Sequence, residues 1–371
     1  MQIAVQASDL DAKRIDGTRV YLKELLSRFG QASPEVEFVL YHQTAFNPEL
    51  VPKVCVQYQI KTRPFPFAWM QTRFLWEILR HKPEKLFLPI QAAPVFVSRA
   101  TEVTVTIHDL AFKRYPATFP RQHLLKLNFL LGVAVHRADK LIAVSQSTKD
   151  DLLEFFPKLP TGRIRVIHHG FDSEFFGTRL SAEELSDTLK TFHLQPATYA
   201  LYVGALQPRK NLARLIEAFD IAKQSMFEMK LVLVGERAWL ADEIFAARDK
   251  SPYKEDIIMT GPVDFAALRA LYQGARLFVF PSLYEGFGLP ILEAFASRVP
   301  VLTAGNSSLT EVGGRAALYA NALSTDDIAA KLERLWSDEE LRKELVRRGE
   351  EQLKKFSWDK CAQETLEYIK S

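Results

Sequence analysis

Short runs rich in Val, Ile and Leu alternate with longer amphipathic stretches along all 371 residues. In the first half these runs are IAVQA, EFVLYH, VCVQYQI, KLFLPI, VTVTIHD, KLIAVS and IRVIHHG. The periodic stretches between them predict helices over 18–29, 68–81, 121–137 and 146–156. After a polar, acidic segment over 173–190 the alternation restarts at YALYVG and continues through KLVLVG, DIIMTG, RLFVFPS and VPVLTAG. Apolar runs separated by helices predict buried parallel sheets built from β–α–β units. The restart predicts an α/β chain of two Rossmann-like, doubly wound parallel-sheet domains, 1–175 and 176–371, linked within 173–195. The helical pattern of the last segment, FSWDKCAQETLEYIK, marks a closing helix over about 356–371. Ligands of such sheets sit beyond the carboxyl ends of the strands. The loops that follow strands are therefore where chemistry is expected, and two such domains facing each other would form a cleft.

Composition narrows the classes. A net charge of +3 is too small to argue for nucleic acid, although its distribution is uneven. Residues 1–180 carry 24 basic and 17 acidic side chains, and the remainder 24 and 28. That asymmetry can steer an anionic partner toward the first half. Cys55 and Cys361 form no CxxC or Cys/His spacing, which argues against a disulfide framework or structural zinc and fits a reducing cytoplasm. The opening MQIAVQASDL predicts a strand rather than a secretory leader, and no apolar run reaches the ~18 residues of a membrane span. Neither G-x-G-x-x-G at a strand–helix junction nor G-x-x-x-x-G-K-[ST] occurs, so dinucleotide oxidoreductase and P-loop readings lose their main support.

Two strand-to-helix loops stand out. In YALYVGALQPRKNLARLIEAF the strand ends at Gly204, and Asn211 is placed to cap the next helix. Arg209 and Lys210 stand just before that helix start, where unpaired N–H groups and the positive dipole end favour a phosphate. In RLFVFPSLYEGFGLPILEAFAS, Pro290 suits a first helical turn, and Gly286 and Gly288 let backbone N–H groups approach a bulky anion. Glu293 lies one turn inside that helix, within reach of ribose hydroxyls. Glu285 precedes the glycines and would reach whatever lies beyond the phosphate. His108 ends the run VTVTI at the mouth of the first sheet, where an imidazole can donate to a sugar hydroxyl or to an acceptor. Asp109 beside it fits a backbone-capping role.

The spacing EGFGLPILE resembles the E-x7-E signature of retaining GT-B glycosyltransferases, in particular glycosyltransferase family four. GALQPRKN, VTIHDLAFKRYPATFP, IAVSQSTKDDL, IRVIHHGFD and NSSLTEVGGRAAL follow the family's order over nearly the whole chain, and HDL with NSSLTEV is most similar to its mannosyltransferase-like branch. The resemblance implies two domains with the donor on the second and the acceptor on the first. It also has the closing helix cross back to pack on the first domain. The activity implied is retaining, metal-independent hexose transfer without a cofactor, with mannose from GDP-mannose favoured. A glycan or lipid-linked glycan would be the acceptor. By the same resemblance Arg209 and Lys210 bind the diphosphate, Glu285 the sugar hydroxyls and Glu293 the ribose. Gly204, Gly286, Phe287, Gly288 and Leu289 line the donor loop, with the N–H groups of Gly288 and Leu289 on the phosphate. Gly17 lets the first domain approach the diphosphate, and His108 faces the transferred sugar. An epimerase or a non-catalytic two-lobed sugar binder is the alternative on the same architecture.

Arg298 stands where the family usually has glycine, just past the predicted helix 289–297, so a positive φ is expected there. Thr310 and Arg315 also depart from the family's usual proline and aspartate. Residues 61–82 hold five Lys/Arg against one Glu, with Trp69, Phe74 and Trp76. They predict either a core helix or a peripheral contact with the inner face of a membrane, the core helix being favoured.

Overall fold

A computed structural model describes residues 1–371, which divide into two compact units. One comprises Met1–Leu110, Gln122–Gly170 and Phe356–Ser371, the other Ala111–Arg121 and Phe171–Lys355. Each is built on its own sheet.

The first sheet contains β1 (Gln2–Gln6), β2 (Glu37–His42), β3 (Tyr58–Thr62), β4 (Lys85–Leu88), β5 (Glu102–Ile107), β6 (Lys140–Ala143) and β7 (Ile164–Val166). They lie in the order β3-β2-β1-β4-β5-β6-β7, all parallel. The helix Gly17–Ala32 starts at Asp16, whose carboxylate accepts from Arg19 N at 3.3 Å, and buries Tyr21, Leu22, Leu25, Leu26 and Phe29. The closing helix Trp358–Lys370 packs on it, with Arg28 Nε 2.6 Å from Asp359 Oδ1. The edge strand β3 lies later than the expected run at 54–60. Val56 and Val54, whose apolar character signalled that run, are exposed. An edge strand whose residues are mostly exposed carries little alternation to read.

Residues 61–82 bury Trp69, Phe74 and Ile78, while Trp76 stays partly exposed with Arg73 and Arg80 stacked over its ring at 4.7 and 5.0 Å. Arg63 and Arg73 both pair with the buried Glu77, at 2.7 and 2.6 Å. The segment thus spends Trp69, Phe74 and Ile78 on the core and leaves Phe65 and Phe67 exposed. No helix is long and apolar enough to cross a membrane.

The second sheet contains β8 (Tyr199–Val203), β9 (Lys230–Val234), β10 (Ile257–Gly261), β11 (Leu277–Phe280), β12 (Val301–Ala304) and β13 (Ala317–Ala320). Their order, β10-β9-β8-β11-β12-β13, is parallel throughout and reverses direction between β8 and β11. The change of direction between β8 and β11 is a topological switch point, the position where doubly wound sheets bind ligands. The polar stretch 173–190 is not a bare linker. It holds the helices Ser173–Gly177 and Ala182–Lys190, the second begun by a reciprocal capping box of Ser181 and Glu184.

Gly204, after β8, has φ 150°, and Gly235 after β9 has φ 144°. A Cβ on Gly235 would sit 2.0 Å from Gly204 O, so the two loops touch backbone to backbone. Only glycine permits that approach.

Candidate active site

Two loops meet at the β8/β11 switch point. After β8, Pro208–Lys210 forms a 3-10 turn that leads into the helix Leu212–Lys223. After β11, Pro281–Gly288 leads into the helix Leu289–Ala296. Leu283 N donates to Arg209 O at 2.9 Å, and the Arg209 guanidinium donates back to Tyr284 O, which ties one loop to the other. Glu285 Oε1 lies 2.5 Å from Lys210 Nζ, and its Oε2 lies 3.0 Å from Arg209 Nη1. All three side chains are buried, at 8, 8 and 7% exposure for Arg209, Lys210 and Glu285. Burial alone would raise the Glu285 carboxyl, but the two cations outweigh it and hold the group down to about 2. Two cations and one carboxylate thus meet in a desolvated group at the switch point. Such a group suits an anion that accumulates charge.

Asn211 does not cap its helix. It sits at φ 63° in the left-handed region, where the side chain cannot fold back over the first turn as an extended cap residue does. Its amide Nδ2 instead donates to Pro281 O at 3.1 Å and to Ala322 O at 2.7 Å. The residue pins the loop after β11 to the one after β13.

The glutamate loop is clamped from the segment after β12. Ser308 Oγ, fully buried, is 2.9 Å from Glu285 O and 2.7 Å from Phe287 O. Glu285 N donates to Ser307 Oγ at 3.1 Å, and Asn306 Nδ2 donates to Ser282 O at 3.2 Å. Ser307 holds φ 45°, an uncommon value for a non-glycine residue. Gly286 and Phe287 complete the loop, and Gly288 turns it with φ 112° into the helix whose first N–H groups lack intrahelical acceptors. A Cβ on Gly288 would also press on Leu309 at 3.1 Å.

Glu293, on the same helix, lives in opposite surroundings. Its one protein donor is the Tyr272 hydroxyl, 2.8 Å from Oε2, and no cation pairs with it. Although the residue keeps some exposure, desolvation of the carboxyl dominates and pushes it up to about 7 against the small opposing effect of the tyrosine. The two glutamates of one signature are thus driven to opposite ends of the carboxylate range. Past the helix, Arg298 has φ 57°, as its position predicts, and reaches Glu350 at 3.0 Å.

Gly17 and His108 belong to the first unit. Gly17 opens its helix beside Asp16. His108 follows β5. Its N–H donates to Gln91 Oε1 at 3.0 Å and its ring Nε2 to Pro89 O at 2.7 Å, which ties the β4 and β5 loops. Burial lowers its pKa, so the ring is neutral, and the Pro89 bond leaves Nδ1 as an acceptor rather than the donor expected from sequence. Tyr21 meets this ring edge-on at 5.1 Å and His169 lies at 5.6 Å. The rest of the HDL segment, Ala111–Arg121, belongs to the second unit. There Thr118 O accepts from Trp239 Nε1 at 2.9 Å and Tyr115 lies 6.4 Å from Tyr284.

The roles of Ser307, Ser308 and Tyr272 do not follow from the sequence alone. The serines carry a weak local signal, a small polar pair directly after a buried strand. Tyr272 carries none, because its partner lies 21 residues away.

Two family models divide the chain. Residues 15–175 match Glycosyltransferase Family 4, and residues 188–352 match Glycosyl transferases group 1. The chain is 31% identical over 273 residues to the O-antigen chain mannosyltransferase B of Escherichia coli, covering 73% of this chain and 71% of that protein. It is 32% identical over 234 residues to the serotype-specific mannosyltransferase WbdA of Escherichia coli, of whose length it spans 28%. Among solved structures, Anabaena Alr3699/HepE in complex with UDP and glucose aligns over 100% of this chain and 99% of its own, at TM-score 0.77 and 16% identity. WaaG, a glycosyltransferase involved in lipopolysaccharide biosynthesis, aligns over 100% and 99% at TM-score 0.76 and 14% identity. With both halves matched in order and each built on a doubly wound parallel sheet, the chain belongs to glycosyltransferase family four and has its GT-B fold.

Proposed function

We propose that this glycosyltransferase is a retaining, metal-independent mannosyltransferase that uses GDP-mannose and extends a glycan or lipid-linked glycan. The observation that carries the reading is the buried Arg209–Glu285–Lys210 group at the β8/β11 switch point. Transfer breaks the bond between the anomeric carbon and the β-phosphate oxygen, and the electron pair leaves with the diphosphate. Arg209, Lys210 and the N–H groups of Gly288 and Leu289 receive that charge, so the enzyme supplies what a divalent cation would otherwise provide. As the cations turn to the diphosphate, Glu285 is released to accept hydroxyls of the sugar. The acceptor oxygen attacks from the face the diphosphate leaves, and its proton passes to the departing phosphate. Glu293 takes ribose hydroxyls, and Gly204 keeps the β8 loop close to the nucleotide. Gly17 serves the diphosphate and His108 the transferred sugar. The mannosyltransferase names of the relatives support the choice of sugar.

We place the enzyme in the cytoplasm, at the inner membrane face when its acceptor is lipid-linked, with Phe65 and Phe67, both exposed, as the side chains that touch the bilayer. Vesicle co-sedimentation unchanged in Phe67→Ser would remove that contact.

The test of the reaction is incubation with GDP-mannose and a mannose-ended oligosaccharide in excess EDTA, with the product's anomeric carbon read by NMR. An α-linkage formed at undiminished rate is expected. A β-linkage, or a rate restored only by added metal, contradicts the mechanism.

A further inference from the structure

Glu293 is a carboxylate with one protein donor and no cation, an arrangement that leaves most of its accepting capacity for a ligand. What holds it is the phenol of Tyr272, on the last turn of the helix Phe265–Gly274. That ring is fully buried, edge-on to Phe176 at 5.6 Å and tilted against Phe278 at 5.5 Å. The end of its helix is locked in turn, since the fully buried Tyr199 donates its hydroxyl to Leu271 O at 2.6 Å. The nearest acceptor of the phenol is Glu293 Oε2 at 2.8 Å, with Pro290 O next at 3.5 Å. A glutamate has three side-chain torsions, and on a short helix beside a ligand loop it would otherwise sample several rotamers.

We infer that Tyr272 is a positioning residue of the nucleotide site, holding Glu293 Oε2 so that the carboxylate is presented in one orientation to a vicinal diol of the bound nucleoside. This rests on the donor-site reading of Glu293 given above. A diol donates two hydrogen bonds to an oriented carboxylate, and each is strengthened by the charge it meets. Tyr272 is the titratable group that faces Glu293, with Tyr202 next beyond it. Arg298, further along the helix, is paired with Glu350, and Arg209 and Lys210 with Glu285. Phe176, from the helix Ser173–Gly177, and Leu309, from the helix Leu309–Gly313, are apolar. The protonation of Glu293 is thus set by its burial and by one phenol.

The experiment is calorimetric titration with GDP-mannose, whose diphosphate diester does not titrate near neutrality, from pH 5.5 to 8.5. Wild type, Tyr272→Phe and Glu293→Gln are compared, with the 2′,3′-dideoxy analogue of GDP-mannose as the ligand lacking the diol. In wild type, Kd weakens as pH falls through neutrality. In Tyr272→Phe, Kd at pH 7 weakens roughly tenfold and the midpoint moves to higher pH, while kcat at saturation is kept. Glu293→Gln binds without pH dependence, and the dideoxy ligand does not distinguish wild type from Tyr272→Phe. A Tyr272→Phe enzyme with lowered kcat and an unmoved pH midpoint would make the tyrosine merely structural and overturn the inference. So would equal Kd values, or an equal loss with the dideoxy ligand. Wild type that binds no nucleotide at all would overturn the donor-site reading itself, whereas normal wild-type binding with an indifferent Tyr272→Phe overturns this inference alone.

Discussion

Replacing Glu285 with glutamine keeps the size of the side chain and removes the one carboxylate between Arg209 and Lys210. The magnitude follows from the carboxyl's displacement from 4.5 to about 2. At about 1.4 kcal/mol per unit, the folded state favours the charged form by about 3 kcal/mol. Removing one partner of a buried pair costs about 3–5 kcal/mol in general, so the two estimates agree in size. The folded pKa is depressed, so this stability is present above pH 4.5 and lost as pH falls toward 2. Native-state hydrogen exchange of the β8 and β11 amides reads the opening free energy of this unit. At pH 7 it should fall by about 3 kcal/mol in Glu285→Gln, and the loss should shrink between pH 4.5 and 2 as the wild-type carboxylate protonates. Saturating GDP should restore more stability to the variant than to wild type, since the diphosphate replaces the missing charge. A change under about 0.5 kcal/mol at pH 7, the ordinary range of a surface substitution, would refute the reasoning.

Glu293→Gln should act in the opposite direction on the free enzyme. With its folded pKa raised to about 7, the wild-type group loses stability as pH rises through 7. The variant should be more stable at pH 8, by up to about 3 kcal/mol, and equal at pH 4.5 in thermal melts at both pH values. Ser308→Ala strips the donor from two carbonyls of the glutamate loop and should cost about 1–3 kcal/mol, with KM for the nucleotide sugar raised in steady-state assays. At Arg298, alanine should melt lower than glycine, because the left-handed φ of 57° disfavours any Cβ by about 1 kcal/mol. The exposed Glu350 pair adds little to the arginine, so Arg298→Gly should lie within about 1 kcal/mol of wild type.

The parts that could be read from sequence are those set by local pattern. β8 and β11 are short, buried on both faces and bounded by loops, so their ends, and with them the position of Arg209, Lys210 and Glu285, follow from apolar runs alone. β13 is not legible in the sequence, because four residues, ALYA, near a glycine pair carry no β-branched signal. β3 lies later than the sequence suggests because the exposed valines Val54 and Val56 imitate a strand. The capping box at Ser181 and Glu184 was open to reading within a stretch whose acidity pointed to a linker. The remainder is tertiary. That Glu285 would pair with Lys210, 75 residues before it, depends on strand order, which places β8 against β11. Asn211 misled because its residue type favours a cap while its backbone, fixed by the meeting of three loops, is left-handed. The phenol of Tyr272 and the clamp of Ser307 and Ser308 act across the fold and leave no spacing to recognise.

The measurement that tests the donor site most directly is calorimetric titration of GDP, UDP, dTDP and ADP, each beside its sugar conjugates, into wild type and Lys210→Ala. Tight binding of GDP and GDP-mannose, clearly weakened in Lys210→Ala, is predicted. Binding of every nucleotide unchanged by the substitution, or no binding by wild type, would contradict the assignment of the β8 and β11 loops to the sugar nucleotide.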